Sequence, residues 1–187
     1  MRSAGILMPI TALPSPWGIG TLGVSARSFL DFLVESGRTY WQLLPIGPTG
    51  FGDSPYQPFS SYAGNPYFID LDDLAKMGLL LPEEYQNLDW SSASACVDYG
   101  LLYQSRFQVL WAREEKSVQS FCEKEKDWLD DYALFMSLKD HFNGKPWQDW
   151  PDDLRRRKTE ALEQARRQSE GDIRFWKGVQ FLFFEQW

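Results

Sequence analysis

Histidine occurs once in the 187 residues, at His141, and cysteine twice, at Cys96 and Cys122. One imidazole cannot build a cluster of histidine ligands. Neither cysteine has a CxxC partner or a histidine beside it, so the spacing of a thiolate metal site is absent. Two isolated cysteines fit reduced thiols in a cytoplasmic protein, and no cofactor is expected. An excess of positive charge is also missing. The formal net charge is −7, which argues against a nucleic-acid backbone and an anionic membrane surface as partners. No apolar stretch approaches a membrane span. The run after Met1-Arg2 is too short for a signal-peptide core with its cleavage site. There is no internal repeat and no low-complexity tract.

Aromatic residues are abundant, with 9 Trp, 8 Tyr and 13 Phe, or 16% of the chain. They fit an aromatic-rich core. They also fit a carbohydrate binder, because sugar rings present C–H faces that stack on Tyr and Trp. The most informative stretch is YWQLLPIGPTGFGDSPYQPFSSYAGNPYFIDL, from Tyr40 to Leu71. Its first seven residues, Tyr40 to Ile46, read as a buried strand. A Gly-, Pro- and Ser-rich loop carrying Phe51, Tyr56 and Phe59 follows, and Tyr67 to Leu71 closes it. A rigid aromatic loop after a buried strand is how a barrel enzyme builds the wall of a site. The glycines of GPTGFG do not make a phosphate cradle, since no Lys-Ser or Lys-Thr follows them.

Ala4 to Ile10 reads as a first buried strand limited by Pro9. The spacing of Phe29, Leu30, Phe32 and Leu33 predicts a helix over Ser25 to Ser36, with Ser25 as N-cap and Gly37 just past its end. Strand, helix and strand in that order make a βαβ unit with parallel pairing. Trp17, between Gly18 and the first strand, reads as core. A short helix ended by Gly78 and a turn at Leu81 to Glu84 come next, then a surface loop over Asn87 to Val97. Helices are predicted over Gly100 to Glu125 and Asp127 to Phe142, with a break at Asn143-Gly144-Lys145-Pro146. A charged helix with a solvated face spans Pro151 to Gln168. The last helix restarts near Gly171. Its end, Phe175 to Trp187, is apolar nearly all round, which a helix tolerates only when buried. Phe175, Trp176, Phe181, Leu182, Phe183, Phe184 and Trp187 are therefore expected to face solvent unless further strands cover them.

Five segments carry a resemblance: RSAGILMPITALPSPWGIGTLG, the Tyr40–Leu71 stretch with Arg38-Thr39 before it, VDYGLLYQSRF, WLDDYALFMSLKDHFNGKPWQDWP and the terminal FLFFEQW. Together they resemble the 4-α-glucanotransferases of the amylomaltase, or disproportionating-enzyme, type. The resemblance runs through essentially the whole chain but covers only the first third or so of the family's length. It implies an α/β fold, the first two strands and first helix of a (β/α)8 barrel in residues 1–46. Residues 47–171 become a substrate loop and a largely helical insertion, and 172–187 a helix returning to the barrel. It implies α-1,4-glucans as substrates, and it places the missing barrel portion and the catalytic carboxylates beyond Trp187. No catalytic or metal-binding residue is assigned within this chain.

The resemblance implies substrate contact near the scissile bond for the loop Asp53, Ser54, Tyr56 and Gln57, with Tyr56 stacking on a glucose ring. The alternative is a loop tyrosine packing on its neighbours, with Asp53 ordering the turn by an Asx-type bond. Phe51 and Tyr103 match the family's second glucan site, where a Tyr often stands in place of Phe51. Asp70 reads as a helix cap, and His141 as structural. Two other functional readings stay open: a glucan hydrolase of the same superfamily, and a non-catalytic glucan-binding module.

Overall fold

The computed structural model describes residues 3–90, 96–111 and 118–187, without the side chains of Phe51 and Trp111. The described residues are mostly helical and carry one two-stranded parallel sheet. The chain divides into two compact units, Met1–Arg113 with Leu182–Trp187, and Glu114–Phe181.

In the first unit, β1 (Gly5–Leu7) and β2 (Tyr40–Gln42) pair in parallel, Gly5 opposite Tyr40, Ile6 opposite Trp41 and Leu7 opposite Gln42. Gly5 is needed for this approach, because a Cβ there would stand 2.6 Å from the Tyr40 carbonyl oxygen. Both strands are shorter than the expected Ala4–Ile10 and Tyr40–Ile46. Pro9 lacks the N–H that would extend the ladder, and the chain turns there into a 3-10 helix, Ile10–Ala12. Nor are the strands buried throughout. Ile6 and Trp41 are half-buried, whereas Leu7 and Tyr40 are 52% and 61% exposed.

Between the strands runs α1, Val24–Glu35, whose Phe29 meets Trp41 edge to face at 4.9 Å. Its N-cap is Gly23, not Ser25. Gly23 lies so close to Asp70 that a Cβ would clash with the carboxylate, while the Ser25 hydroxyl donates to the Pro14 carbonyl instead. The C-terminus closes as expected on Gly37, at φ +66°. Arg38 N–H donates to Leu33 O and Gly37 N–H to Val34 O, the double closure that glycine in the left-handed region permits.

The helix α2, Leu71–Lys76, is capped by Asp70, whose carboxylate accepts from Asp73 N–H at 3.0 Å. The same carboxylate accepts from the Thr21 hydroxyl at 2.5 Å. After α2, Tyr85 and Trp90 pack on Trp17, at ring distances of 4.8 and 5.9 Å. Trp17 is core, as its glycine neighbours suggested. Trp90 is also buried and donates to the Tyr85 carbonyl, so the expected surface loop over Asn87–Val97 contains a core residue. Residues 91–95 of that loop lie outside the described residues.

The helix α3, Tyr99–Trp111, is anchored by Arg106. Arg106 is fully buried, donates to the carbonyls of Ile69 (2.7 Å) and Trp17 (3.1 Å), and lies over the Trp90 ring at 5.2 Å. Burial pulls its pKa down to about 10, so it remains a buried cation at neutral pH. Residues 112–117 of the predicted helix Gly100–Glu125 lie outside the described residues.

The second unit consists of α4 (Val118–His141), α5 (Asp152–Arg155), α6 (Thr159–Gln168) and most of α7 (Glu170–Gln186). Its core joins Leu134, Leu138, Trp150 and Ala165, with Phe135, Phe142, Leu154, Leu162 and Ile173 against them. The break at Asn143-Gly144 is present, both residues at positive φ. The single charged helix predicted over Pro151–Gln168 is instead two helices. They are separated at Arg157, which sits at φ +55° without being glycine. Arg157 N–H donates to Leu154 O and Lys158 N–H to Asp153 O, and the Arg157 side chain pairs with Asp131 at 2.7 Å.

The expectation for the last helix is corrected too. Trp176, Phe181, Leu182 and Phe183 are buried, Phe175 and Phe184 half-buried, and only Trp187 of the seven is exposed. In the first unit, Phe183 lies on Gly64, where a Cβ would come 2.1 Å from the ring. Gln186 clamps Asp70: its amide accepts from Asp70 N–H at 2.7 Å and donates to Asp70 O at 3.0 Å.

Candidate functional site

The loop after β2 is closed on itself by backbone contact. At its base Asn65 N–H donates to Ile46 O at 2.9 Å. Higher up, a Cβ on Gly50 would stand 2.6 Å from the Gln57 carbonyl oxygen, so the two arms touch where only glycine fits. At the tip, Gly52 and Asp53 both adopt positive φ, +73° and +55°. The chain then turns through Ser54-Pro55-Tyr56-Gln57, with Gln57 N–H donating to Ser54 O at 3.4 Å.

Three side chains in succession turn the loop by accepting backbone N–H groups. Ser54 Oγ accepts from Tyr56 (3.3 Å), Ser60 Oγ from Tyr62 (3.1 Å) and Ala63 (3.2 Å), and Asn65 Oδ1 from Tyr67 (3.0 Å). The turn expected of Asp53 is made by Ser54, because the residue two positions after Asp53 is Pro55, which has no N–H to donate. Pro55 fixes φ in the turn. The Tyr56 ring is 68% exposed. Ser54, Tyr56 and Gln57 thus share one braced turn that presents a ring, a hydroxyl and an amide.

The other expected residue, Tyr103, lies on α3 in a stripe of aromatics at i, i+4 and i+8: Tyr99, Tyr103 and Phe107. Tyr103 and Phe107 lie 5.0 Å apart, and Tyr67 lies 6.0 Å from both Tyr99 and Phe107. Tyr103 is half-exposed. Burial first, and then the Asp53 carboxylate, push the hydroxyls of Tyr67 and Tyr99 above the usual tyrosine range. Asp53 is therefore brought electrostatically to the Tyr67–Tyr99 cluster. The side chain of Phe51, the partner expected for Tyr103, lies outside the described residues. The helical spacing of Tyr99 and Phe107 around Tyr103 is a signal legible in the sequence, whereas Tyr67, in the 3-10 helix Pro66–Phe68, joins them only through the fold.

Asp70 is 6% exposed and is occupied by Thr21 and the α2 cap. His141 stands on the end of α4 with its ring edge to face against Phe142. Among the described residues no three His, Cys, Asp or Glu side chains are grouped so as to hold a metal ion, and no helix is long and apolar enough to cross a membrane.

Residues 8–187 match the family model described as 4-alpha-glucanotransferase. A 4-alpha-glucanotransferase of Clostridium butyricum is 44% identical over 187 residues, covering 96% of this chain and 38% of its own length. One of Thermus thermophilus is 45% identical over 197 residues, covering 100% and 38%. Among solved structures, an amylomaltase from Streptococcus agalactiae in complex with acarbose superimposes with a TM-score of 0.94 at 41% identity. The match covers all of this chain and 40% of that one. An amylomaltase from Corynebacterium glutamicum shares the fold at 18% identity, with a TM-score of 0.69, over 97% of this chain and 27% of that one. The chain thus spans about two fifths of the length of the relatives it matches.

Proposed function

We propose a function from one premise: this chain belongs to the 4-alpha-glucanotransferase family. It is the amino-terminal portion of an enzyme that transfers α-1,4-glucan segments between maltodextrins. The reaction is retaining transglycosylation: a carboxylate forms a glycosyl-enzyme, an acid protonates the leaving oxygen, and a sugar hydroxyl takes the place of water. Residues 1–46 contribute the first two strands and first helix of a (β/α)8 barrel. Residues 47–171 form the substrate loop and helical insertion, and 172–187 the helix that returns to the barrel. The catalytic carboxylates belong to later parts of the whole protein, and this portion supplies the walls. Free thiols at Cys96 and Cys122 fit a cytoplasmic enzyme.

The single observation that carries this reading is the exposed Tyr56 ring at the tip of a loop whose backbone is already braced. The ring stacks on the glucose at the reacting end. Ser54 and Gln57 meet its hydroxyls, and Asp53 sets the field beside them. Phe51 and Tyr103 form a second glucan site.

A contact realised mostly in the transition state lowers kcat when it is removed, while a uniform contact raises KM alone. In the whole enzyme, Tyr56→Ala reduces kcat/KM on maltotriose about tenfold to a thousandfold, roughly 1.4–4 kcal/mol, with part of the loss in kcat. Steady-state kinetics on maltotriose test this. Unchanged turnover would make the loop scaffold. Release of glucose without longer maltodextrins would make the enzyme a hydrolase.

A further inference from the structure

The helical unit of residues 114–181 contains a half-open cavity of about 500 Å³. That is within the range of small-ligand sites, roughly 300–1,000 Å³. It shares no residue with the Asp53–Gln57 loop or with the Tyr103 stripe. Its less exposed lining includes Phe142 and Leu154, and its exposed rim includes His141, Gln164 and Gln168, with half-buried Asp172 beside them. The Phe142 ring is held in place by Trp150 at 5.4 Å.

The lining selects a class of ligand. Among the described residues no lysine or arginine lines the cavity, while Asp153 and Asp172 do, which disfavours phosphates and carboxylates. The Asp153 charge is already met by Lys158 at 2.5 Å. Gln164 and Gln168 stand at i and i+4 on α6 and share a face. Each amide offers two donors and an acceptor with two lone pairs, which suits neighbouring hydroxyls that must both give and receive hydrogen bonds. The Asp172 carboxylate only accepts, as a hydroxyl donor requires. The apolar part of the lining, Leu138, Phe142 and Leu154, suits an apolar C–H face. A neutral molecule that is hydroxyl-rich at its edge and apolar on its face meets all of these.

We infer that this cavity binds a glucosyl unit of an α-1,4-glucan, independently of the substrate loop. The inference rests on the glucan reading proposed above. Such a site would hold a long glucan on the insertion while its reacting end lies elsewhere.

The test uses the 187-residue chain carrying Tyr56→Ala and Tyr103→Ala, titrated with maltose and followed by ¹H–¹⁵N NMR. The expected result is a saturable shift of the Gln164 and Gln168 side-chain amides and of the Asp172 backbone amide. Adding Gln164→Ala and Gln168→Ala, both exposed and compatible with the fold, weakens the affinity about tenfold or more, as loss of two hydrogen bonds implies. Three results would overturn the inference. If the unsubstituted chain shifts with maltose only within residues 50–57 and 99–107, the cavity is not a site and the glucan reading stands. If it shifts nowhere, the cavity inference fails and the glucan reading fails with it. If spermidine shifts Asp172 and maltose does not, the cavity is an amine site drawn by the Asp172 carboxylate.

Discussion

At the scale of single residues, contrasts between neighbours carry most of the information. Tyr56 and Tyr103 are both exposed tyrosines, yet one tips a braced turn and the other lies in a helical aromatic stripe. In the proposed enzyme Tyr103→Ala changes the handling of long glucans and the size of products, and maltotriose turnover stays near normal. Product profiles from amylose beside maltotriose kinetics check it; equal loss on both substrates would merge the two sites. Glycines divide in the same way. Gly52 has open space where a Cβ would be, and its demand is conformational. Gly64 faces the Phe183 ring at a distance no Cβ can occupy. Since Phe183 is fully buried, the ring cannot swing into solvent. Gly64→Ala is therefore an overpacking change, expected to destabilise the chain by about 1–3 kcal/mol. Urea denaturation measures it, and an unchanged midpoint would mean that the terminal helix shifts without resistance.

At the scale of elements, one carboxylate ties two helices together. Asp73, in the first turn of α2, accepts two bonds from Arg27 of α1, at 2.7 and 3.1 Å, and one from Lys76 at 2.8 Å. Burial pushes its carboxyl up, but the bonds from Arg27 and then Lys76 outweigh that and hold it below the usual range. A depressed folded pKa means that the unfolded chain binds the proton more readily. The stabilisation is thus complete above about pH 4 and is lost as pH falls through the folded value. Asp73→Asn is expected to flatten the acid side of the stability curve and to leave a smaller effect of salt at neutral pH. Thermal melts between pH 2.5 and 6 test the slope. The sequence made many such element boundaries readable. Gly37, Gly78 and the Asn143–Pro146 break are visible because positive φ leaves a residue signature, and Asp70 because N-caps do. The break at Arg157 left no signature, since an arginine holds the left-handed position with the support of Asp131. Gly23 displaced Ser25 as N-cap because Asp70, far along the chain, fills the space beside it. Burial of Phe183 was unreadable for the same reason: its cover, Gly64, and the Asp70–Gln186 clamp, 116 positions apart, are tertiary facts with no local trace. The loop residues Ser54, Tyr56 and Gln57 could be named because a Pro-braced polar turn is local, whereas the Tyr67–Tyr99 partnership with Asp53 is not.

At the scale of the molecule, the sheet has two unequal faces. Through Phe29, α1 covers the face of Ile6 and Trp41, while Leu7 and Tyr40 on the other face stand open. Parallel strands are ordinarily covered on both faces, so the open face is where the interior of the proposed barrel would lie. The same picture governs chemistry. A retaining mechanism needs two carboxyl groups about 5–5.5 Å apart across the scissile bond. In the first unit Asp70 is buried, bound to Thr21 and spent as a cap. Asp53 stands beside tyrosines whose hydroxyls stay protonated well above neutral pH. Asp70 is thereby not available to a substrate lying on Tyr56. The 187-residue chain alone is expected to bind maltodextrins and to leave them unchanged. Its open sheet face, together with exposed Leu30 and Phe32 of α1, is expected to bind a hydrophobic dye and to favour association, at roughly 25 cal/mol per Å² of apolar area covered. The chain would be incubated with maltotriose and assayed for glucose and longer maltodextrins, and its size followed by exclusion chromatography. Disproportionation by the chain alone would move the catalytic pair into these residues. A sharp monomer peak without dye binding would mean that the sheet needs no further strands.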